Sequence, residues 1–123
     1  MLFCTLVING AHIETCNVHL ANSDVAYPQL DQILELIKMR RMQPIILGDF
    51  KIYKLADRKE KSLLLHRYIL SSELADYVSY PADTDSLNYI AVPILRFKLS
   101  DVKCPDTYAS DHRALIATIG YAA

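Results

Sequence analysis

Four short polar clusters carry residue types that can move protons or hold phosphate and metal: Asn17-Val18-His19-Leu20, Gly48-Asp49-Phe50-Lys51, Leu87-Asn88-Tyr89-Ile90 and Ser110-Asp111-His112-Arg113. The last is the most pointed. A carboxylate, the donor that hard divalent cations select, adjoins an imidazole, the ring most used to take or give a proton near neutral pH. The others each have a structural reading beside the chemical one. Asp49, after an apolar run and Gly48, suits a turn as well as catalysis. His19 suits a hydrogen-bonded structural histidine and Asn88 a polar residue at a strand edge. Lys51 can grip a phosphate. Residues so far apart in the chain serve one substrate only if strand ends and loops bring them together, so the elements decide the matter.

Leu2 to Ile8 and His12 to Leu20 are β-rich runs joined by Asn9-Gly10, the strongest short hairpin signal in the sequence. A two-residue turn there sets Cys4 opposite Thr15 and puts Cys16 on the other face, which argues against a Cys4–Cys16 disulfide. From Pro28, the residues Leu30, Ile33, Leu34 and Ile37 recur at helical spacing, with Asp31, Glu35, Lys38 and Arg40 on the other faces. Pro44 to Leu47 reads as a strand covered on both faces. Asp57 to Leu70 reads as a second helix, with a short turn at Ser71-Ser72-Glu73. Asn88 to Val92, Phe97 to Val102 and Ala114 to Ile119 read as three more strands. The predicted order is ββαβαβββ, an α+β arrangement with a mixed sheet and helices on one face.

Taken together and in this order, the clusters resemble the endonuclease/exonuclease/phosphatase (DNase I-like) family, whose second half runs Asn-x-His-Leu, Gly-Asp-Phe-Asn, Ile-Asp-Tyr-Ile and Ser-Asp-His. The resemblance covers about residues 5 to 120, and the segment Leu74 to Pro81 also resembles the family's stretch before its Asp-Tyr motif. It implies half of a four-layer α/β/β/α sandwich that hydrolyses phosphate esters with Mg2+ or Mn2+. Carried onto this chain, it makes Asp111 a metal ligand, Asp49 the residue that orients the nucleophile, His112 the proton acceptor or phosphate holder, and His19 the contact to phosphate or leaving group. Asn17, Lys51 and Asn88 support them.

Three departures bear on activity. The family's other half, with its metal-binding Glu and an Asn, has no counterpart here. Glu14 does not substitute for that Glu, because strand parity places it with Cys16 and Val18, opposite Asn17 and His19. Lys51 stands where the family has Asn, so a donor-only cation replaces an amide beside Asp49. Asn88 stands where the family has the Asp that orients the histidine, and an amide there can leave the ring in the wrong tautomer, a fault worth on the order of 10⁴-fold in a serine protease. The sequence therefore supports a phosphodiesterase or nuclease-type hydrolase fragment, incomplete alone. The alternative is a catalytically defective family member that binds or assembles.

Size and composition frame these readings. The chain has 123 residues, 52% hydrophobic and 22% charged, which fits one domain spanning 1–123. It holds no apolar run long enough for a membrane span, and without a visible signal segment the default location is cytoplasmic. Thirteen basic against fourteen acidic residues give a net charge of -1, so no overall positive field draws it to nucleic acid. Local basic residues, Lys38, Arg40 and Arg41, then Lys54, Arg58, Lys59 and Lys61, lean the substrate reading toward nucleic acid, although helix ends often carry such charges for other reasons. Three cysteines without paired spacing read as buried thiols. Helices on one face only would leave an apolar sheet face to be covered, by the missing N-terminal half or by a second copy in a homodimer.

Overall fold

Asn9 and Gly10 both adopt positive φ, 51° and 80°, the pair of left-handed residues that a type I′ hairpin turn requires. They join strands β1 (Leu2–Ile8) and β2 (Ala11–His19) in an antiparallel register that sets Cys4 opposite Thr15 and Phe3 opposite Cys16. All three cysteines are free thiols. The structure of the protein, a computed structural model, describes residues 1–21, 23–52, 67–81, 87–106 and 110–122.

Helix α1 (Ser23–Lys38) returns the chain so that β3 (Ile45–Asp49) runs parallel to β2, and β4 (Tyr68–Leu70) and β5 (Asn88–Pro93) complete a mixed sheet ordered β1-β2-β3-β5-β4. The helix begins earlier than the predicted start at Pro28, which lies within it. Pro28 has no N–H and so removes one bond of the first turns. Ala26 nonetheless continues the stripe of Leu30, Ile33, Leu34 and Ile37 back by one turn, and all five are buried. They pack on Cys16, Val18, Ile46, Tyr68, Leu70, Tyr89 and Ala91 of the sheet, each large side chain contributing about 1.5–3 kcal/mol on burial. The fold class is therefore α+β, a mixed sheet with its helix on one face.

The segment read as a second helix falls mostly outside the described residues, and its end is corrected: Tyr68–Leu70 is strand β4. The tyrosine is held there by its hydroxyl, which donates to Pro44 O at 2.7 Å. The expected turn follows as a 3-10 turn over Ser71–Glu73, where the Leu70 N–H donates to Glu73 Oε2 at 2.6 Å.

Among the described residues, β6 (Phe97–Lys103) and β7 (Ile116–Tyr121) pair with each other as a second, two-stranded sheet. They do not extend the main sheet. Phe97 and Leu99 instead form a second core with Ile45 and Val92, with half-buried Ile13, Leu47, Ile69 and Ile90 packed against it. These residues alternate with the helix-facing set along each strand, so the hairpin shelters part of the face that the sequence reading had left bare. An apolar cleft of about 280 Å³ remains beside it, lined by Leu6, Ile8, Ile13, Leu47, Phe97 and Tyr121 among others.

Candidate active site

His19, Asp49 and Asn88 stand side by side across three strands. Asp49 is the parallel partner of His19 in β2 and the antiparallel partner of Asn88 in β5, and directly opposed residues share a face. Gly48 permits this row. Its φ is 137°, and a Cβ there would fall on the Val18 carbonyl oxygen, so only a residue without a side chain lets β3 approach β2 at this point. Beyond the row, the Leu20 N–H donates to Asp49 O and the Phe50 N–H to Leu87 O, each at 2.9 Å. Phe50 is fully buried edge-on to Tyr89, ring centres 5.4 Å apart. The strand end carrying Asp49 is thus fixed on both sides.

Three nitrogens converge on one oxygen of Asp49. Lys51 Nζ, His19 Nε2 and His112 Nε2 lie 3.5, 3.6 and 3.7 Å from Oδ2, separations longer than an ordinary hydrogen bond. The other oxygen, Oδ1, accepts the Lys51 N–H at 3.0 Å. Lys51 has φ 54°, the left-handed region that costs an ordinary L-residue about 1–2 kcal/mol. Asp49 is 12% exposed, His112 24% and His19 75%, so the cluster sits at a rim with its aspartate recessed.

His112 is held from three directions. Its Nδ1 lies 2.7 Å from Asn88 Oδ1, its ring packs on Tyr80 with centres 4.9 Å apart, and its N–H donates to Ser110 Oγ at 3.2 Å. With the amide oxygen as acceptor, Nδ1 carries the hydrogen and Nε2 turns its lone pair toward Asp49. With its oxygen toward the ring, Asn88 can hold the same tautomer that a carboxylate would.

Among solved structures, the chain superposes on a mannosyl-6-phosphatase of Bacteroides thetaiotaomicron VPI-5482 with a TM-score of 0.57 and 14% identity, over 91% of this chain and 52% of that one. The likeness is one of fold. This chain spans about half the length of that phosphatase. No family model and no curated protein matches the sequence.

Of the residues singled out by sequence, five meet: His19, Asp49, Lys51, Asn88 and His112. Asn17 is exposed on β2, two residues before His19 on the same face and opposite Leu47. Asp111 is exposed and accepts the Ser110 hydroxyl at 3.2 Å. Glu14 points to the helix side, where it takes Thr5 Oγ1 at 2.8 Å and Arg40 at 3.4 Å, as parity required. Among the described residues no group of three or more His, Cys, Asp or Glu is arranged to hold a metal ion. Both Asp49 oxygens face Lys51, Oδ1 its N–H and Oδ2 its ammonium.

Sequence reasoning missed the residues that position Asn88. Ser79 is fully buried, and its Oγ accepts the N–H groups of Leu87 and Asn88 at 3.0 and 3.1 Å. Its carbonyl accepts the Arg113 N–H at 2.7 Å. The Tyr77 hydroxyl donates to Asn88 O at 2.6 Å and lies 2.9 Å from Ser71 Oγ, which accepts the Ile90 N–H at 3.0 Å. Burial pushes the Tyr77 phenol up to about 12, against the opposing effect of the Ser71 hydrogen bond; burial also raises Tyr68. These side chains replace a neighbouring strand where β4 stops pairing with β5. The available signal was three serines and two tyrosines between positions 71 and 80.

Proposed function

We propose that this chain is a phosphoester hydrolase unit of the phosphodiesterase or nuclease type, one half of an endonuclease/exonuclease/phosphatase fold. The observation that carries this reading is the convergence of His19, Lys51 and His112 on Asp49 Oδ2. Phosphoryl transfer asks a protein chiefly to position water and phosphate and to neutralise developing charge, and these residue types do both. Asp49 orients the attacking water. His112 Nε2, its lone pair set by the bond from Nδ1 to Asn88, takes the water's proton. His19, most exposed of the three, stands where it can meet the leaving oxygen. By resemblance, Asp111 would hold Mg2+ or Mn2+, which would stabilise negative charge on the phosphoryl oxygens.

The basic stretch at the end of α1 does not strengthen the case for nucleic acid. Lys38 pairs with Glu35 at 3.0 Å, and Arg40 pairs with Glu14 and lies 4.0 Å over the Phe3 ring. The second basic run, at positions 54 to 61, lies outside the described residues. Nucleic acid stays the substrate class to try first, alongside simpler diesters.

A second reading, a catalytically defective family member that binds or assembles, is favoured by the Lys51–Asp49 pair and by the apolar cleft at Leu6, Ile8 and Tyr121. An N-terminal half or a second copy would cover that cleft. No helix among the described residues is long and apolar enough to cross a membrane.

The deciding experiment measures cleavage of single-stranded DNA, RNA and bis(p-nitrophenyl) phosphate with Mg2+ or Mn2+ present. Asp49→Ala and His112→Ala each lower the rate by about 10²-fold or more. A rate unchanged in either variant, or no cleavage of any substrate when the chain is joined to the other half of the fold, defeats the hydrolase reading. A stable dimer on sizing together with no cleavage points to the assembly reading.

A further inference from the structure

Lys51 engages Asp49 twice, through its N–H on Oδ1 and its ammonium beside Oδ2. An aspartate so occupied cannot coordinate a divalent ion without displacing the lysine. The backbone adds an independent observation. Lys51 sits at φ 54°, a conformation that Asn tolerates far better than Lys, and strained residues of this kind gather where a side chain is held for use. Resting on the phosphoester reading of the same site, we propose that the Lys51 ammonium is its resident cation, so that a phosphoryl group is held beside Asp49 without a divalent ion.

The geometry suits that ligand. The Lys51 ammonium and His19 Nε2 lie 3.5 and 3.6 Å from one carboxylate oxygen, too far for a full hydrogen bond, so the ammonium keeps donor capacity directed into the space that His112 Nε2 also borders. The non-bridging oxygens of a phosphoryl group accept from several such donors at once. An ammonium serves as a compact point charge for phosphate, and its pairing with Asp49 removes the repulsion that a bare carboxylate would offer an arriving anion. The side chain of Lys51 is 33% exposed, which leaves it reachable from solvent.

The same phosphoryl chemistry occurs in inorganic phosphate and in an internal diester, and the test takes both. Line broadening in 31P NMR is measured for inorganic phosphate and, separately, for a thymidine dinucleotide, with the full chain in EDTA and then in excess Mg2+. Binding in EDTA is expected in at least one arm, weakened roughly 10- to 100-fold in Lys51→Asn, the scale of a lost charge-assisted bond, and largely kept in Lys51→Arg. The arm that binds tells a free phosphate site from a diester site. Asn suits the left-handed backbone, so Lys51→Asn keeps the fold, and a melting curve checks this. Binding that appears only with Mg2+, or that Lys51→Asn leaves within twofold, overturns the inference while sparing the hydrolase reading. Absence of binding in both arms, with and without Mg2+, overturns both.

Discussion

Gly48→Ala probes the close approach that puts Asp49 beside His19. At φ 137° the backbone lies where L side chains rarely go, and the new Cβ would fall on Val18 O and 3.0 Å from Val18 C. Both obstructing atoms are main chain inside a parallel pair, so no side chain can swing aside. Strained φ costs on the order of 1–3 kcal/mol and overpacking typically about 1–3 kcal/mol more. The expected loss is therefore about 2–6 kcal/mol, a large share of the roughly 5–15 kcal/mol that holds an ordinary domain. At about 4 °C per kcal/mol for a chain of this size, the melting temperature falls by roughly 8–24 °C. Circular dichroism melting checks stability, and ring chemical shifts of His19 report whether it still neighbours Asp49. A Gly48→Ala protein melting within about 3 °C of the parent, with His19 unshifted, would refute the claim that this glycine sets the spacing.

Other outcomes follow from the same structure. Ser79→Ala leaves the Leu87 and Asn88 N–H groups without their acceptor in a buried place, a loss of about 2–4 kcal/mol that urea unfolding measures; a change under 0.5 kcal/mol counts against it. The Tyr77 phenol ionises near 12 when folded and near 10 when unfolded. Its contribution is thus fully present below about pH 10 and is lost as pH rises from there through 12. Tyr77→Phe flattens the stability profile across that window, and an unaltered slope would show that the phenol is not the group responsible. For His112, long-range 1H–15N correlation is expected to find hydrogen on Nδ1 of the neutral ring, as acceptance by Asn88 Oδ1 requires; hydrogen on Nε2 would mean that the amide is turned over.

Much of this was legible in the chain because short-range chemistry dictated it. Asn9-Gly10 admits one turn type, and the turn fixed the hairpin register down to Cys4 opposite Thr15. The clusters at His19 and Asp49 end β2 and β3, Asn88 opens the antiparallel β5 and Ser110 to Arg113 precede β7, so convergence at a sheet edge followed once β2, β3 and β5 were recognised. What failed was decided by tertiary context. Tyr68–Leu70 is three residues long beside a Leu-rich stretch, and periodicity cannot separate helix from strand in so short a run. The start of α1 was masked by Pro28, which local preference puts in a first turn, while burial of Ala26 favours starting earlier. The strand character of β6 and β7 was plain, yet the choice between extending a sheet and folding across it depends on the turn at Ile94 to Arg96, which alternation does not encode. Ser79 and Tyr77 went unseen because a serine that stands in for a missing strand looks like any loop serine.

The hairpin that opens the fold also leaves a seam. β1 is an outer strand of its sheet, and its seven residues, Leu-Phe-Cys-Thr-Leu-Val-Ile, contain no charge and no proline. Leu2, Leu6, Val7 and Ile8 are largely exposed there, the kind of margin on which another extended chain can anneal. At high concentration or on warming, polymerisation into ribbons is expected to begin from this margin, and a single lysine at Val7 is the substitution most suited to stopping it.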